Sequence, residues 1–260
     1  MSVEQQLPDD GAAAILASLV QVRQRISNAA ASAGAQQHVD VLLATKTVPA
    51  NRILIALRAG YSLIGENRVQ ELVEKSDDLA GVPHEAHFIG HLQKNKINQV
   101  LRHATCIQSV DSVELADQIL ARLPTSGSPF DLFVQVNTSG EQSKYGCAPG
   151  EALALAQHIG TLPALHLRGF MTIGLFSDDL LAVAASYRRL RETRDAILAA
   201  QLPGTGDARE LSMGMSGDLE LAVAEGATMI RVGTAVFGSR ATPDSLYWPD
   251  AHGDPAARLS

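Results

Sequence analysis

The stretch Val41-Leu42-Leu43-Ala44-Thr45-Lys46 decides the fold, because it is a short apolar strand that ends on a lysine. It is the first of eight strand-like runs, which alternate with segments of helical periodicity. Near-continuous apolar strands alternating with helices are typical of a parallel sheet that is covered on both faces. Eight such units favour a closed (β/α)8 TIM barrel over an open sheet.

The sequence predicts one α/β domain over residues 1–260, with an extra N-terminal helix and loose tails at 1–10 and 241–260. The predicted strands are Val41–Lys46, Tyr61–Gly65, Ala86–Gly90, Thr105–Val110, Phe130–Asn137, Ala164–Thr172, Glu210–Gly214 and Met229–Gly233. The predicted helices are 11–34, Ala50–Ala59, Arg68–Leu79, Lys94–Arg102, Ser112–Arg122, Gly150–Gly160, Asp179–Gln201 and Asp218–Glu225. A doubly wound open sheet is the alternative, but no Gly-x-Gly-x-x-Gly turn follows the first strand.

Composition narrows the possible partners. The net charge is −7 and no block of lysines and arginines occurs, which argues against a nucleic-acid partner. The two cysteines, Cys106 and Cys147, lie far apart and lack metal-ligand spacing, so we expect neither a disulfide framework nor a metal site. No apolar run approaches the eighteen or so residues of a membrane span. We therefore expect a soluble, cytoplasmic protein that is a monomer or a weak dimer.

Lys46 is the first candidate for chemistry. The C-terminal ends of barrel strands face the active-site mouth. Desolvation lowers the pKa of a lysine and favours its reaction with an aldehyde. Lys46 is therefore a candidate for a Schiff base.

The ends of the last two strands form a candidate phosphate site. Gly214, Ser216 and Gly217 precede a predicted helix, and Gly233 and Thr234 follow the next strand. Backbone N–H groups at a helix start bind anions, and phosphate sites after strands seven and eight recur in this barrel. The alternative is that Ser216 only caps the helix that follows.

Arg231 interrupts the apolar run Met229-Ile230-Arg231-Val232. A charge on a barrel strand is costly unless it is paired. Its guanidinium could face a pyridine ring nitrogen and keep it unprotonated. The alternative is an ion pair with a barrel carboxylate such as Glu210.

Seven motifs occur in one order over about residues 11–240. They are Ala44-Thr45-Lys46-Thr47, Gly65-Glu66-Asn67-Arg68-Val69-Gln70-Glu71, His87-Phe88-Ile89-Gly90-His91-Leu92-Gln93-Lys94-Asn95-Lys96, Val136-Asn137-Thr138-Ser139-Gly140-Glu141, Gly169-Phe170-Met171-Thr172, Leu211-Ser212-Met213-Gly214-Met215-Ser216 and Arg231-Val232-Gly233-Thr234. Together they resemble the pyridoxal-5'-phosphate homeostasis family (YggS-like or PROSC-like proteins), whose barrel is similar to the N-terminal domain of alanine racemase. Gln108 departs from the family pattern, in which a histidine is expected, and Phe170 replaces a common leucine.

The resemblance implies a pyridoxal 5'-phosphate (PLP) site built from one lysine and six surrounding residues. The implied residues are Lys46 for the internal aldimine, Asn67 beside the ring, Met213 lining the pocket, Arg231 by the pyridine nitrogen, and Ser216, Gly233 and Thr234 at the phosphate. The implied function is to hold PLP and take part in the supply of this vitamin B6 cofactor, with apo PLP-dependent enzymes as possible recipients.

An amino-acid racemase that uses the same aldimine is the alternative function, and a Schiff-base aldolase ranks third. A two-base racemase needs a second base on the far face of the ring. In alanine racemases a second domain supplies that base, and we expect this chain to lack such a domain. Of its tyrosines Tyr61, Tyr145, Tyr187 and Tyr247, only Tyr145 is placed to approach the site. We therefore expect a PLP-binding protein that is not an enzyme.

Overall fold

The computed structural model describes residues 9–141 and 144–238 and shows a closed barrel of eight parallel strands. The strands are β1 Asp40–Ala44, β2 Leu63–Glu66, β3 Glu85–Phe88, β4 Cys106–Val110, β5 Phe130–Gln135, β6 Leu165–Met171, β7 Glu210–Ser212 and β8 Met229–Val232. Neighbours follow chain order and β8 pairs with β1, which closes the ring. The predicted TIM barrel is therefore confirmed.

Helices cover the outside of the barrel. They are α1 Asp9–Ala33, α2 Ala50–Arg58, α3 Val69–Leu79, α4 Ile97–His103, α5 Val113–Leu120, α6 Ala152–Gly160, α7 Leu180–Ala199, α8 Leu219–Ala224 and α9 Thr234–Phe237, with a 3-10 turn at Lys94–Lys96 before α4. The extra N-terminal helix is confirmed, although it begins at Asp9 rather than residue 11. The rest of the expected N-terminal tail and the tail from 241 lie outside the described residues.

The strands end earlier than the apolar runs suggested. β1 ends at Ala44, so Lys46 lies in the turn after the strand rather than at its last position. β7 likewise ends at Ser212, two residues before Gly214. The difference arises because a strand ends where ladder hydrogen bonds stop, whereas apolar composition continues into the buried start of the loop.

Alternation along each strand separates two hydrophobic layers. The barrel interior is filled by Leu42, Leu63, Cys106, Phe133, Met171 and Met229. A larger cluster, which includes Leu43, Leu211 and Ile230, packs between the strands and the helices. Among the described helices, none is long and apolar enough to cross a membrane.

An ionic cluster closes the N-terminal end of the barrel. Arg168 on β6 forms ion pairs with Glu210 at 2.8 Å, Glu85 at 3.2 Å and Asp131 at 3.3 Å. Glu210 is therefore the partner of Arg168, and the alternative in which it pairs with Arg231 is wrong. Because this cluster lies at the end of the barrel opposite the loops after the strands, it stabilises the barrel floor.

Candidate cofactor site

The pairing of β1 with both of its neighbours brings three predicted site segments to one edge of the barrel. In the register Leu43 is opposite Val232 of β8, and Ala44 is opposite Gly65 of β2. The segments that follow β1, β2 and β8 therefore leave the barrel next to one another at its C-terminal edge. The turn with Lys46 thus lies between the Asn67 segment on one side and Gly233 on the other.

The turn that presents Lys46 has an unusual backbone. Thr47 has a φ of 61°, in the left-handed region. A β-branched residue there is a rare exception, and the left-handed conformation costs roughly 1–2 kcal/mol. The Thr47 amide donates to Glu71 Oε2 at 2.6 Å, which holds the conformation. Lys46 itself is half-buried.

Asn67 carries a polar atom that suits a ligand. Its side-chain oxygen is buried and has no hydrogen-bond partner among the described residues. Such orphaned acceptors are rare in native structures and call for an explanation. The backbone of Asn67 is tightly packed, since a Cβ placed on Gly90 would lie 2.1 Å from the backbone carbonyl oxygen of Asn67. A donor group on a bound molecule would satisfy the Asn67 oxygen.

Ser216 joins the loops after β7 and β8. Its hydroxyl oxygen accepts the backbone N–H groups of Gly233 at 3.3 Å and Ala235 at 3.2 Å. Its carbonyl oxygen accepts from Arg25 of α1 at 3.0 Å. Because the hydroxyl acts as an acceptor in both bonds, its own proton remains to be donated, for example to an anion. Thr234, which follows Gly233, is exposed and begins α9.

The alternative role of Ser216 as the cap of α8 is wrong. The residue at the N-cap of α8 is Asp218, and its side chain makes no capping bond. Asp218 instead accepts the Met215 amide at 2.6 Å and the Tyr187 hydroxyl at 2.7 Å. Burial raises the pKa of Tyr187, and the neighbouring Asp218 charge raises it further. Asp218 therefore holds the loop before α8, and Ser216 connects that loop to the end of β8.

Arg231 is buried inside the barrel and is held by neutral acceptors. It donates to the Ser212 carbonyl at 2.7 Å, to the Ser212 hydroxyl at 2.9 Å and to the Thr172 carbonyl at 2.7 Å. Within the described part of the chain no carboxylate forms an ion pair with it. Burial lowers its pKa, and the charges of Tyr187 and Asp218 partly oppose that effect. This guanidinium is suited to a further acceptor.

Gln108 is a residue whose role the sequence did not reveal. Its amide nitrogen lies 2.7 Å from His87 Nδ1, and its oxygen accepts the Ser212 hydroxyl at 2.7 Å. An amide nitrogen only donates, so His87 Nδ1 accepts and its other ring nitrogen faces Glu85 at 3.3 Å. A hydrogen-bond chain thus links Glu85, His87, Gln108 and Ser212 to Arg231. The indications in the sequence were that Gln108 is polar within an apolar strand and that it departs from the family pattern.

The expectation that Met213 lines the pocket needs correction. Met213 is fully buried, but it packs with the cluster between the strands and the helices. The side chains of Met171 and Met229 fill the barrel interior instead. Alternation along the strand explains this, because Ser212 points inward and its successor points outward.

Comparisons with known proteins agree with this geometry. Residues 15–241 match the family described as alanine racemase, N-terminal domain, which is the class that the barrel and its rim define. The chain belongs to the pyridoxal phosphate homeostasis protein family, as its motifs predicted. A family member from Pseudomonas aeruginosa, named pyridoxal phosphate homeostasis protein, is 40% identical over 227 residues, which are 87% of this chain and 96% of that protein.

Two solved structures are similar over most of their length. A protein from Bifidobacterium adolescentis, described as unknown, is 42% identical with a TM-score of 0.84, covering 90% of this chain and 98% of that one. PipY from Synechococcus elongatus, solved with PLP bound, is 32% identical with a TM-score of 0.74 and covers 86% of this chain and 100% of its own.

Proposed function

We propose that this chain holds PLP covalently through Lys46 and takes part in the intracellular supply of that cofactor, with apo forms of PLP-dependent enzymes as recipients. The observation that carries the proposal is the adjacency of β1 and β8. Leu43 pairs with Val232, so the turn of Lys46 and the segment of Gly233 leave the barrel side by side. This adjacency supports a site in which one small ligand contacts both the Lys46 amine and the loop after β8. The relative PipY, solved with PLP bound, supports the choice of ligand.

The residues present fit such a ligand. When bound, the cofactor would supply an aldehyde, with which a primary amine such as that of Lys46 can form a C=N bond with loss of water. Asn67 offers an unsatisfied buried oxygen to a ring hydroxyl. Ser216 offers its hydroxyl proton to the phosphate, and Gly233 and Thr234 belong to the segment that Ser216 contacts.

The Gly233 amide itself is taken by Ser216 Oγ, so its part is to position that hydroxyl. Arg231 lies on β8 and is held by Ser212 and Thr172, and its guanidinium would donate to the ring nitrogen as an acceptor. A guanidinium keeps its proton, so a ring nitrogen that faces it stays unprotonated. An unprotonated ring is a weaker electron sink.

The contacts of the described tyrosines also favour a protein that holds PLP over a racemase. The Tyr187 hydroxyl donates to Asp218, and the Tyr61 hydroxyl donates to the Leu19 carbonyl at 3.2 Å. Tyr145 stacks on His91 with ring centroids 4.0 Å apart. Tyr247 lies outside the described residues. A second base opposite the lysine is therefore not supplied by Tyr61 or Tyr187, and the stacking with His91 constrains Tyr145.

Borohydride reduction followed by peptide mass spectrometry tests the attachment. We expect one PLP adduct on the peptide that contains Lys46, and a visible absorbance band that is lost in Lys46→Ala. Lys144→Ala is the matched control, because Lys144 is a second lysine after a barrel strand, held by Glu141 and the Gly174 carbonyl. An adduct on Lys144, or an unchanged band in Lys46→Ala, would move the anchor and contradict the proposal.

Chiral chromatography separates the holding role from the racemase. We expect the PLP-loaded protein to form no D-alanine from L-alanine beyond one equivalent. Multiple turnovers that disappear in Lys46→Ala would establish the racemase instead.

A further inference from the structure

A buried ion cluster lies directly behind the turn of Lys46. The Lys75 ammonium, on α3, donates to the Thr45 carbonyl at 2.8 Å, to Glu66 Oε1 at 2.7 Å and to Glu71 Oε2 at 2.9 Å. The side chains of Lys75, Glu66 and Glu71 are 13%, 1% and 16% exposed, respectively. An ammonium has three donors, and each has an acceptor at an ideal distance. Lys75 is therefore fully committed within the protein.

The acceptors of Lys75 hold the backbone on both sides of Lys46. On the N-terminal side, Lys75 binds the Thr45 carbonyl, and the Thr45 hydroxyl donates to Glu66 Oε1 at 2.6 Å. On the C-terminal side, Glu71 Oε2 accepts the Thr47 amide at 2.6 Å. The residue held there is the one in the left-handed conformation, which few threonines adopt unaided.

We propose that Lys75 is a positioning residue for Lys46: through Thr45, Glu66 and Glu71 it fixes the turn from which the Lys46 amine reaches the cofactor. The inference rests on the proposed function, because the turn must serve a lysine that forms a bond. Lys75 touches neither the cofactor nor the amine in this scheme. It acts by limiting the directions in which Lys46 leaves the backbone.

The energetic reason is preorganisation. A bond between two groups forms most readily when both are held near their reacting geometry, and a displacement of about 1 Å can cost on the order of 10²-fold in rate. A turn with a left-handed threonine relaxes when its hydrogen bonds are removed. Without the cluster, the Lys46 amine therefore samples directions that do not lead to the aldehyde.

Two variants cut the cluster at different points. Lys75→Met removes the ammonium and leaves the Glu66 carboxylate buried, so we expect this variant to lose stability as well. Glu71→Ala keeps the pair of Lys75 and Glu66, and it removes both the ion pair of Lys75 with Glu71 and the link to Thr47. Lys94→Met and Glu114→Ala are matched controls, since Lys94 and Glu114 form a single exposed ion pair at 2.5 Å.

The measurement is the fraction of chains with a reduced adduct on Lys46 as the PLP concentration rises. We expect the half-saturating concentration to rise roughly tenfold or more in Lys75→Met and Glu71→Ala, and to stay unchanged in both controls. If Lys75→Met fails to fold, Glu71→Ala alone decides. A wild-type half-saturation in folded Glu71→Ala or Lys75→Met would overturn the proposal while leaving the proposed function intact.

A second measurement distinguishes positioning from general structural support. In a Lys46→Ala background PLP binds only non-covalently, and equilibrium dialysis gives its affinity. We expect Glu71→Ala to leave that affinity unchanged, because its effect passes through Lys46. An equal loss in this background would overturn the positioning role. A wild-type chain that forms no adduct on Lys46 would overturn the proposed function and this inference together.

Discussion

The Ser216 hydroxyl oxygen accepts the Gly233 amide at 3.3 Å and thereby ties the loop after β7 to the end of β8. Ser216 and Gly233 are the two ends of the expected phosphate site. Because the hydroxyl oxygen accepts in this contact, its proton is left to be donated to another group. The geometry of the loop and the chemistry of the site therefore depend on the same side chain.

Ser216→Ala should weaken PLP binding. It removes a hydrogen bond to a charged phosphate, which is worth about 1.5–3 kcal/mol, or roughly ten- to hundredfold in affinity. Equilibrium dialysis measures the change. Ser76→Ala is the control, because that hydroxyl only donates to the Val73 carbonyl of its own helix. Equal affinities for wild type and Ser216→Ala would place the phosphate elsewhere.

Arg231→Lys should destabilise the barrel although it keeps the charge. A single ammonium does not span the Thr172 carbonyl and the two Ser212 acceptors that the guanidinium bridges. Losing one hydrogen bond from a charged group lowers the free energy of unfolding by about 1.5–3 kcal/mol. Urea denaturation of the PLP-free protein measures this.

Arg122→Lys serves as the control for Arg231→Lys, since Arg122 is exposed and donates to the Gln118 carbonyl. Equal destabilisation by the two substitutions would show that the buried contacts of Arg231 contribute no more than a surface hydrogen bond.

Gly90→Ala should disturb both stability and PLP binding. The added Cβ would lie 2.1 Å from the backbone oxygen of Asn67, and a backbone atom does not yield as a flexible side chain does. Overpacking of this kind costs about 1–3 kcal/mol. Thermal unfolding and PLP titration measure the two effects. Gly150→Ala, where nothing lies within 4 Å of the added atom, should leave both unchanged. If Gly90→Ala changed neither the thermal stability nor the PLP binding, Asn67 would be free to move.

Stability should fall in acid partly through Glu85. The hydrogen bond from His87, together with the charge and hydrogen bond of Arg168, lowers the pKa of Glu85 from 4.5 to about 2 against the opposing effect of burial. A carboxyl whose pKa is lower in the folded state stabilises the fold above its unfolded pKa. That contribution is present above about pH 4.5 and is lost as the pH falls towards 2.

Comparing wild type with Glu85→Gln isolates that contribution. The difference in their free energies of unfolding should be greatest above pH 5 and should shrink towards pH 2. The Glu85 side chain is 49% exposed, so solvent screening keeps the effect modest. Denaturant titrations at several pH values give both curves. A difference that does not change with pH would show that the ionisation of Glu85 is not linked to folding.

The local sequence pattern predicted most of the strands and helices of this protein. Apolar runs alternating with helical segments predicted all eight strands and the N-terminal helix, because periodicity is a property of each segment by itself. The order of the motifs also predicted the family, and Lys46 became a candidate because it ends the first predicted strand. The ends of elements were less accurate, as the early end of β1 shows, since hydrogen bonding rather than composition ends a strand.

The connections between distant segments could not be predicted in this way. Gln108 bonds to Ser212, 104 residues away, and Lys75 reaches back 30 residues to Thr45. Glu210 looked like a partner for Arg231, but the barrel places it at the opposite end beside Arg168. Met213 looked like a pocket residue, yet its side chain faces the helices.

By itself the sequence determined the barrel, its family and the lysine expected to hold the cofactor, because each depends on short-range pattern. The tertiary structure alone decided which polar groups meet. Closing β8 onto β1 sets a register, and that register determines which buried donors and acceptors lie within 3 Å of each other. The Gln108 chain, which crosses the barrel interior from β4 to β7, is a result of that closure, whereas the Lys75 cluster follows from the pairing of β1 with β2.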